Sequence, residues 1–135
     1  MTTTTRATGT FDVKMLPQTP SDLAAAANLG RMTLDKSYRG DLEGAASGEM
    51  LAMMTDTPGS AVYVAIERVS GRLNGRQGSF ALHHRGVMTR GAPELMVEIS
   101  PDSGTGELTG IAGTMTIEIR GRDHFYTIDY ELPES

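Results

Sequence analysis

One glycine-marked pattern recurs along the chain and constrains its fold more than any other feature: G-x-L-x-G-x-x-G, then Ser or Thr, then an apolar residue. It occurs as GRLNGRQGSF at residues 71–80 and as GELTGIAGTM at residues 106–115. GDLEGAASGEM at residues 40–50 follows it with one extra residue before its last glycine. In each copy a leucine ends one strand, and the glycines let the backbone reverse into the next. The repeat therefore predicts hairpins between consecutive antiparallel strands.

Apolar and polar residues alternate in the segments between these turns, as in a strand with one face on a core. Only SDLAAAANL at residues 21–29 has helical character, because Ser21 or Asp22 can cap the four alanines. Pro20 and Gly30 confine it to about two turns, so we expect at most one short helix near residues 21–29. The alternating segments are GTFDVKML (9–16), MTLDKSY (32–38), ELMVEIS (94–100), GTMTIEI (113–119) and HFYTIDYEL (124–132).

Strands and turns at this spacing predict an all-β fold, a single closed and mainly antiparallel barrel of about eight strands. A chain of 135 residues is long enough for one core and too short for two domains of usual size. We therefore assign residues 9–135 to one barrel domain. We assign residues 1–8 to a flexible N-terminal tail, because this threonine-rich start has little apolar surface to bury.

Composition and charge exclude several classes of partner. A formal net charge of −5 argues against nucleic acid, because binding to a phosphate backbone needs clustered Lys and Arg. The chain has no cysteine, so disulfides, thiolate ligands and Cys nucleophiles are excluded. The start MTTTTRATGT lacks the apolar core of a signal peptide, and no apolar run approaches the ~20 residues of a membrane helix. We expect a soluble, cytoplasmic protein without a membrane partner.

No segment predicts a cofactor or a metal. GTGELTG at residues 104–110 has a longer second gap than a dinucleotide-binding fingerprint, and an alternating strand rather than a helix follows it. The neighbours His83 and His84 point to opposite faces of a strand, so only one of them can join an interior site. His124 lies far along the chain. We expect neither a cofactor nor a metal.

The segment PDSGTGELTGIAGTMTI at residues 101–117 resembles the G-x-G-x-[LF]-x-G-x-x-G hairpin of the allene oxide cyclase and dirigent barrels. With LDKSYRGDLEG, YVAIERV and GSFALHH, it is more similar to an uncharacterised bacterial family of small domains with that barrel, from about Gly9 to Leu132. The resemblance implies a closed barrel of the allene oxide cyclase type, whose interior holds an apolar small molecule. It carries over no catalytic residue, because the family has no assigned reaction and the cyclase's cavity pattern is not reproduced.

Five residues are candidates for the wall of that interior cavity: Tyr38, Glu49, Tyr63, Glu67 and His84. Strand parity places His84 on one face with Phe80 and Leu82, which makes it the better interior candidate of the two adjacent histidines. Glu67 shares its face with Tyr63 on a strand whose two sides are both largely apolar. Glu49 lies where methionines crowd together, and we expect it to point inward too.

Two interpretations of these residues follow. If Glu49, Glu67 and His84 converge in an apolar cavity, burial and a neighbouring imidazolium tune them for proton transfer. Otherwise they lie at solvated strand ends or pair with Arg31, Arg39 or Arg68. The nine methionines and the tyrosines likewise either line a pocket or fill the core.

The sequence therefore supports two functions and does not decide whether the chain is an enzyme. In the first, the barrel binds a small, largely apolar molecule, and its cavity can support a cyclisation or isomerisation. In the second, the chain is a non-catalytic binding or self-assembly module whose barrel is filled by its own side chains. In both cases we expect homo-oligomers, because related barrels form them and outward apolar positions favour being covered.

Overall fold

The computed structural model describes residues 3–133, which form one closed sheet of strands in sequential order, each antiparallel to its neighbours. A five-residue helix, α1 (Asp22–Ala26), follows the first strand, and a 3-10 turn at Gly106–Leu108 precedes the seventh. The predicted all-β barrel with at most one short helix is thus confirmed. The strands are β1 (Thr5–Gln18), β2 (Gly30–Gly40), β3 (Leu42–Met54), β4 (Ala61–Leu73), β5 (Arg76–Thr89), β6 (Ala92–Ile99), β7 (Ala112–Arg120) and β8 (Asp123–Glu131).

Closure of the barrel uses residues that the sequence assigned to a flexible tail. Thr5 to Phe11 of β1 pair with β8, in a register that sets Thr5 opposite Tyr130. Ala7 is fully buried, and Arg6 donates to both carboxylate oxygens of Asp129 at 2.8 and 3.2 Å. The tail prediction is therefore corrected for residues 5–8. They have little apolar surface to bury, but their backbone hydrogen bonds to β8 hold them in the sheet. Residues 1–2 lie outside the described residues.

The three leucines of the glycine-marked repeat lie together at one end of the barrel, where side chains fill the interior. Leu42, Leu73 and Leu108 are each no more than 1% exposed and belong to one apolar cluster. Two repeat glycines let the strands approach closely there. Gly44 pairs with Gly71, and a Cβ on Gly71 would lie 2.1 Å from the Glu43 carbonyl oxygen. We call this region the packed end.

No helix within residues 3–133 is long and apolar enough to span a bilayer.

The Tyr126 hydroxyl ties β8 to the turn between β2 and β3 at the packed end. It accepts a hydrogen bond from the Leu42 N–H at 2.8 Å and lies 3.0 Å from the Arg39 carbonyl oxygen, to which it donates. The ring is buried, so its loss would leave backbone groups unpaired away from water. The contact therefore fixes the last strand to the first hairpin of the repeat.

We predict that Tyr126→Phe lowers the free energy of unfolding by about 1–3 kcal/mol, because the Leu42 N–H loses its partner. Urea unfolding followed by circular dichroism measures the change. Tyr130→Phe is the matched control, because its hydroxyl accepts from the partly buried Asn74 side chain instead of a buried backbone N–H, and its cost should be smaller. Equal stability of Tyr126→Phe and the unsubstituted protein would contradict the prediction.

Candidate functional site

A cavity of 320 Å³ opens at the end of the barrel opposite the packed end, and we call it the mouth cavity. Most of its wall is apolar, with side chains from β1, β2, β3, β4, β6 and β7. Lys36, His84 and His124 bring ionisable groups to it, and Tyr63 brings a phenol. The apolar part of the wall consists of Phe11, Val13, Met15, Leu34, Met50, Ala65, Leu95, Ile117 and Ile119.

A hydrogen-bonded cluster of four side chains lies where the mouth cavity meets the packed interior, and Glu67 is at its centre. His84 Nε2 lies 2.8 Å from Glu67 Oε2, and Lys36 Nζ lies 2.6 Å from the same oxygen. The Tyr38 hydroxyl donates to the other oxygen, Oε1. Glu67 is 0% exposed, while Lys36 and His84 are each 6% exposed and reach the cavity. We call these four residues the Glu67 cluster.

Small residues on β3 make room for this cluster. Lys36 and Tyr38 lie on β2, and Glu67 lies on β4, so their side chains must meet across the intervening strand. Ala46 pairs with Lys36, and Gly48 pairs with Glu67. A Cβ on Gly48 would lie 2.9 Å from the Glu67 Cβ, closer than side-chain carbons approach one another. The near-absence of side chains on this part of β3 lets the two neighbouring strands share a hydrogen-bond network.

The environment of Glu67 keeps its carboxyl group ionised. Burial alone would raise its pKa, but the hydrogen bond from His84 and the charge of Lys36 outweigh burial, and the pKa falls from 4.5 to about 2. Burial also raises the pKa of the Tyr38 phenol, and the negative charge of Glu67 raises it further. Tyr38 therefore stays protonated and donates, while Glu67 accepts from three partners.

The ionised carboxylate decides which hydrogen His84 carries. A carboxylate only accepts, so His84 Nε2 must be the protonated nitrogen that donates to Glu67. His84 Nδ1 has no hydrogen-bond partner among residues 3–133. Every fully buried side-chain nitrogen or oxygen in these residues has a partner, so Nδ1 is not fully buried. Nδ1 is therefore reachable from the mouth cavity. In the neutral ring it carries a free lone pair and can accept a proton.

Lys36 offers the complementary chemistry. Its ammonium group has three N–H donors, and the hydrogen bond to Glu67 uses one of them. The Phe11 ring centroid lies 5.0 Å from Nζ, where the face of the ring favours the positive charge. Lys36 therefore brings a hydrogen-bond donor to the same cavity that His84 lines.

The structure brings together four of the five residues that the sequence nominated. Tyr38, Glu67 and His84 belong to the Glu67 cluster, and Tyr63 lines the mouth cavity, where its hydroxyl has no hydrogen-bond partner among residues 3–133. Burial raises the Tyr63 pKa, and the charge of Glu67 adds to this effect.

The fifth nominated residue, Glu49, lies on the outer surface of the barrel, which corrects the expectation that it points inward. Its side chain is 53% exposed and accepts from Arg31 at 2.8 and 2.9 Å. Strand parity is the reason. Met50 lines the cavity and Gly48 faces Glu67, so the residue between them must point outward.

Lys36 and His124 are the cavity residues that the sequence analysis missed. Lys36 lies between Leu34 and Tyr38 in an alternating segment, on the same face as these two buried residues. A lysine at an inward position of such a segment is the signal that identifies it. His124 lies near the start of β8, and its ring packs on Phe11 with centroids 5.1 Å apart. Within residues 3–133, no three potential ligands among His, Cys, Asp and Glu converge on a metal position.

Comparisons with known proteins give a family and a fold. A family profile described as "Protein of unknown function (DUF3224)" matches residues 7–130. The chain is also similar to the crystal structure of a protein with unknown function from the DUF3224 family of Shewanella oneidensis MR-1. The two sequences are 49% identical, the match covers 98% of this chain and 100% of that one, and the TM-score is 0.90. No curated protein matches the chain.

We predict that the Glu67 cluster makes the free energy of unfolding fall as the pH is lowered into the acid range. The Glu67 pKa is lower in the folded chain than its ordinary value, so the stabilisation is present above about pH 4.5 and is lost as the pH falls toward about 2. Over this range the unsubstituted protein should lose about 3 kcal/mol more than Glu67→Gln, which has no carboxyl group to protonate. Urea unfolding at a series of pH values measures the difference.

Glu49→Gln is the matched control, because it removes a carboxylate whose pKa is also lowered but whose ion pair is exposed to water. Its stability should follow that of the unsubstituted protein across the acid range. Parallel pH curves for Glu67→Gln and the unsubstituted protein would contradict the assigned role of Glu67.

Proposed function

This chain belongs to the DUF3224 family, as its resemblance to an uncharacterised bacterial family predicted, and because that family is described as one of unknown function, we propose a function from the geometry of the site. The barrel binds a small, largely apolar carbonyl compound in the mouth cavity and isomerises it by moving a proton. One observation carries this proposal: His84 and Lys36 hydrogen-bond to the same oxygen of Glu67 and both line a mostly apolar cavity, to which they bring an acceptor nitrogen and a donor.

Size and charge of the mouth cavity support this class of ligand. Its volume of 320 Å³ is within the range of small-molecule sites, and such sites combine apolar walls with a few polar groups that fix orientation. The charges of Glu67 and Lys36 cancel, so the Glu67 cluster is neutral when His84 is neutral. A neutral cluster favours an uncharged oxygen acceptor over a carboxylate, because it supplies no net positive charge to offset the dehydration of an anion.

The chemistry follows from the two groups on the cavity floor. Lys36 donates a hydrogen bond to the carbonyl oxygen, and this bond strengthens as the oxygen gains negative charge. His84 Nδ1 removes a proton from the carbon next to the carbonyl, and the electrons of that C–H bond form the enolate. In a β,γ-unsaturated carbonyl compound this enolate is a dienolate, and the imidazolium returns the proton to its γ carbon, which shifts the double bond and gives the conjugated isomer of the same composition. An enolate that attacks an electrophile within its own molecule would give a cyclisation instead.

Glu67 has the role of a positioning residue in this scheme. It holds the Nε2–H of His84, which directs Nδ1 at the cavity, and its negative charge stabilises the imidazolium that forms after proton removal. Tyr38 and Lys36 complete its hydrogen bonds, so the carboxylate stays in place without water. The cluster thereby keeps the base in one tautomer and one orientation.

We predict that the protein accelerates hydrogen–deuterium exchange of the methyl hydrogens of acetophenone in deuterated buffer, measured by proton NMR. His84→Gln should slow this exchange by about 10²–10⁴-fold, the usual contribution of a positioned base. Lys36→Met should slow it by about 10²–10³-fold, because one donor to the developing oxyanion is lost.

The adjacent histidine supplies the matched control. His83 lies on the outer face of β5, where it hydrogen-bonds to Ser100 at 2.8 Å and its side chain is 43% exposed. His83→Gln should exchange acetophenone at the unsubstituted rate, while circular dichroism reports that each variant is folded. Equal rates for His83→Gln and His84→Gln, or no exchange above that of buffer, would overturn the proposal.

Self-assembly is a second candidate function, and one observation favours it. Leu51, Val64 and Ile66 lie side by side on the outer faces of β3 and β4 and are 43%, 50% and 66% exposed. An exposed apolar stripe of this kind is typical of an interface between protein surfaces. A second copy of the chain fits it, because a two-fold dimer needs a single patch that faces itself.

We predict that the unsubstituted protein sediments as a homo-oligomer and that Ile66→Lys shifts it toward the monomer, because a charge enters the interface. Analytical ultracentrifugation measures the masses. Leu23→Lys is the control, since Leu23 on α1 is 86% exposed and lies away from the stripe. A monomer for the unsubstituted protein would exclude self-assembly without affecting the acetophenone assay.

A further inference from the structure

A second cavity, of 310 Å³, adjoins the mouth cavity at the rim of the barrel, and we call it the rim cavity. Met50, Tyr63 and Leu95 line both cavities, so among residues 3–133 these three side chains are all that the two cavities have between them. The rest of its wall comes from the end of β3, the start of β4, the end of β5 and the start of β6. These remaining residues include Met53, Met54, Val62, Val87, Met88 and Pro93.

The rim cavity is suited to apolar groups. Glu94 is the one ionisable residue on the described wall besides Tyr63, and its side chain is 76% exposed and lies 4.0 Å from Arg85 on the outer surface. Methionines contribute much of the lining, and their flexible thioethers adapt to chains of different shape. The rim cavity therefore lacks the polar groups that would hold a head group of its own.

Tyr63 forms the boundary between the two cavities, and Gly86 allows its position there. The two residues are paired across β4 and β5, and a Cβ on Gly86 would lie 2.0 Å from Tyr63 Cε1. The ring therefore lies on the bare backbone of Gly86 instead of standing upright in the opening. Its hydroxyl has no hydrogen-bond partner within residues 3–133, so it keeps a donor for a bound molecule.

From this arrangement we propose that the two cavities form a single site for an elongated carbonyl compound. Its carbonyl head lies at Lys36 and His84 in the mouth cavity, and an unbranched apolar tail passes over Tyr63 into the rim cavity. The inference rests on the proposed function for the position of the head. It adds the substrate class, linear chains rather than compact rings, and assigns Tyr63 and the rim cavity to recognition of chain length.

Methyl ketones of increasing chain length test this inference: methyl butyl, methyl hexyl and methyl nonyl ketone, with dissociation constants from NMR titration. If the tail enters the rim cavity, each methylene buried there should tighten binding about fourfold, the affinity equivalent of one buried CH₂ group. Ala61→Phe fills the rim cavity without touching the mouth cavity, since Ala61 lines the former alone. It should weaken methyl nonyl ketone at least tenfold and leave methyl butyl ketone unchanged.

Ala92→Phe is the matched control, because it adds the same ring at an exposed position on β6 that lines neither cavity. It should bind all three ketones like the unsubstituted protein. Affinity that does not rise with chain length, or an Ala61→Phe effect equal on short and long ketones, would overturn the elongated site while the acetophenone exchange stands. If methyl butyl ketone does not bind and acetophenone does not exchange, the proposed function itself fails.

Discussion

The charge of Glu67 is the constraint on which the interior of this barrel depends. A carboxylate without solvent exposure costs several kcal/mol to dehydrate unless its oxygens are hydrogen-bonded and its charge is paired. Lys36, Tyr38 and His84 meet that requirement from two other strands, and Gly48 keeps the space between them open. Removing any of these partners would leave a buried charge or a buried acceptor unsatisfied, so the cluster couples β2, β4 and β5 to one another independently of the backbone ladder.

The position of this cluster divides the barrel into two halves with different properties. Toward the packed end, the leucines of the repeat and the aromatic rings fill the lumen, and their burial stabilises the fold. Toward the mouth, the walls stay apolar but the lumen is open. Side chains there do not fill the interior, and a cavity remains. The cluster forms the floor between the halves, where low polarity strengthens electrostatic interactions and where a bound molecule would meet them.

Strand parity explains both what the sequence could predict and what it could not. The parity of β5 placed His84 inward because Phe80 and Leu82 fix that face. On β4 both faces are apolar, so parity left the direction of Glu67 open, and the closed sheet buries the face that it shares with Ala65. Parity failed for Glu49 because methionines occupy both faces of β3 and leave its inward side ambiguous. Lys36 was missed because lysines are expected in water, and its burial requires Glu67, thirty-one residues away. Contact between residues so far apart in the chain is set by the closed sheet, and the local alternation of apolar and polar residues does not reveal it.

The seam between β1 and β8 has a consequence for synthesis of the chain. Arg6 and Asp129 are 123 residues apart, yet the barrel has no closed form until they meet. A nascent chain on the ribosome therefore carries an open sheet, with the hydrogen-bonding groups of β1 unpaired along one edge until β8 emerges. Sheets with such distant pairing fold slowly, so the vulnerable interval is long. Arg6 places a charge at the start of β1, and a charged side chain on an edge strand discourages pairing with strands of other chains during translation.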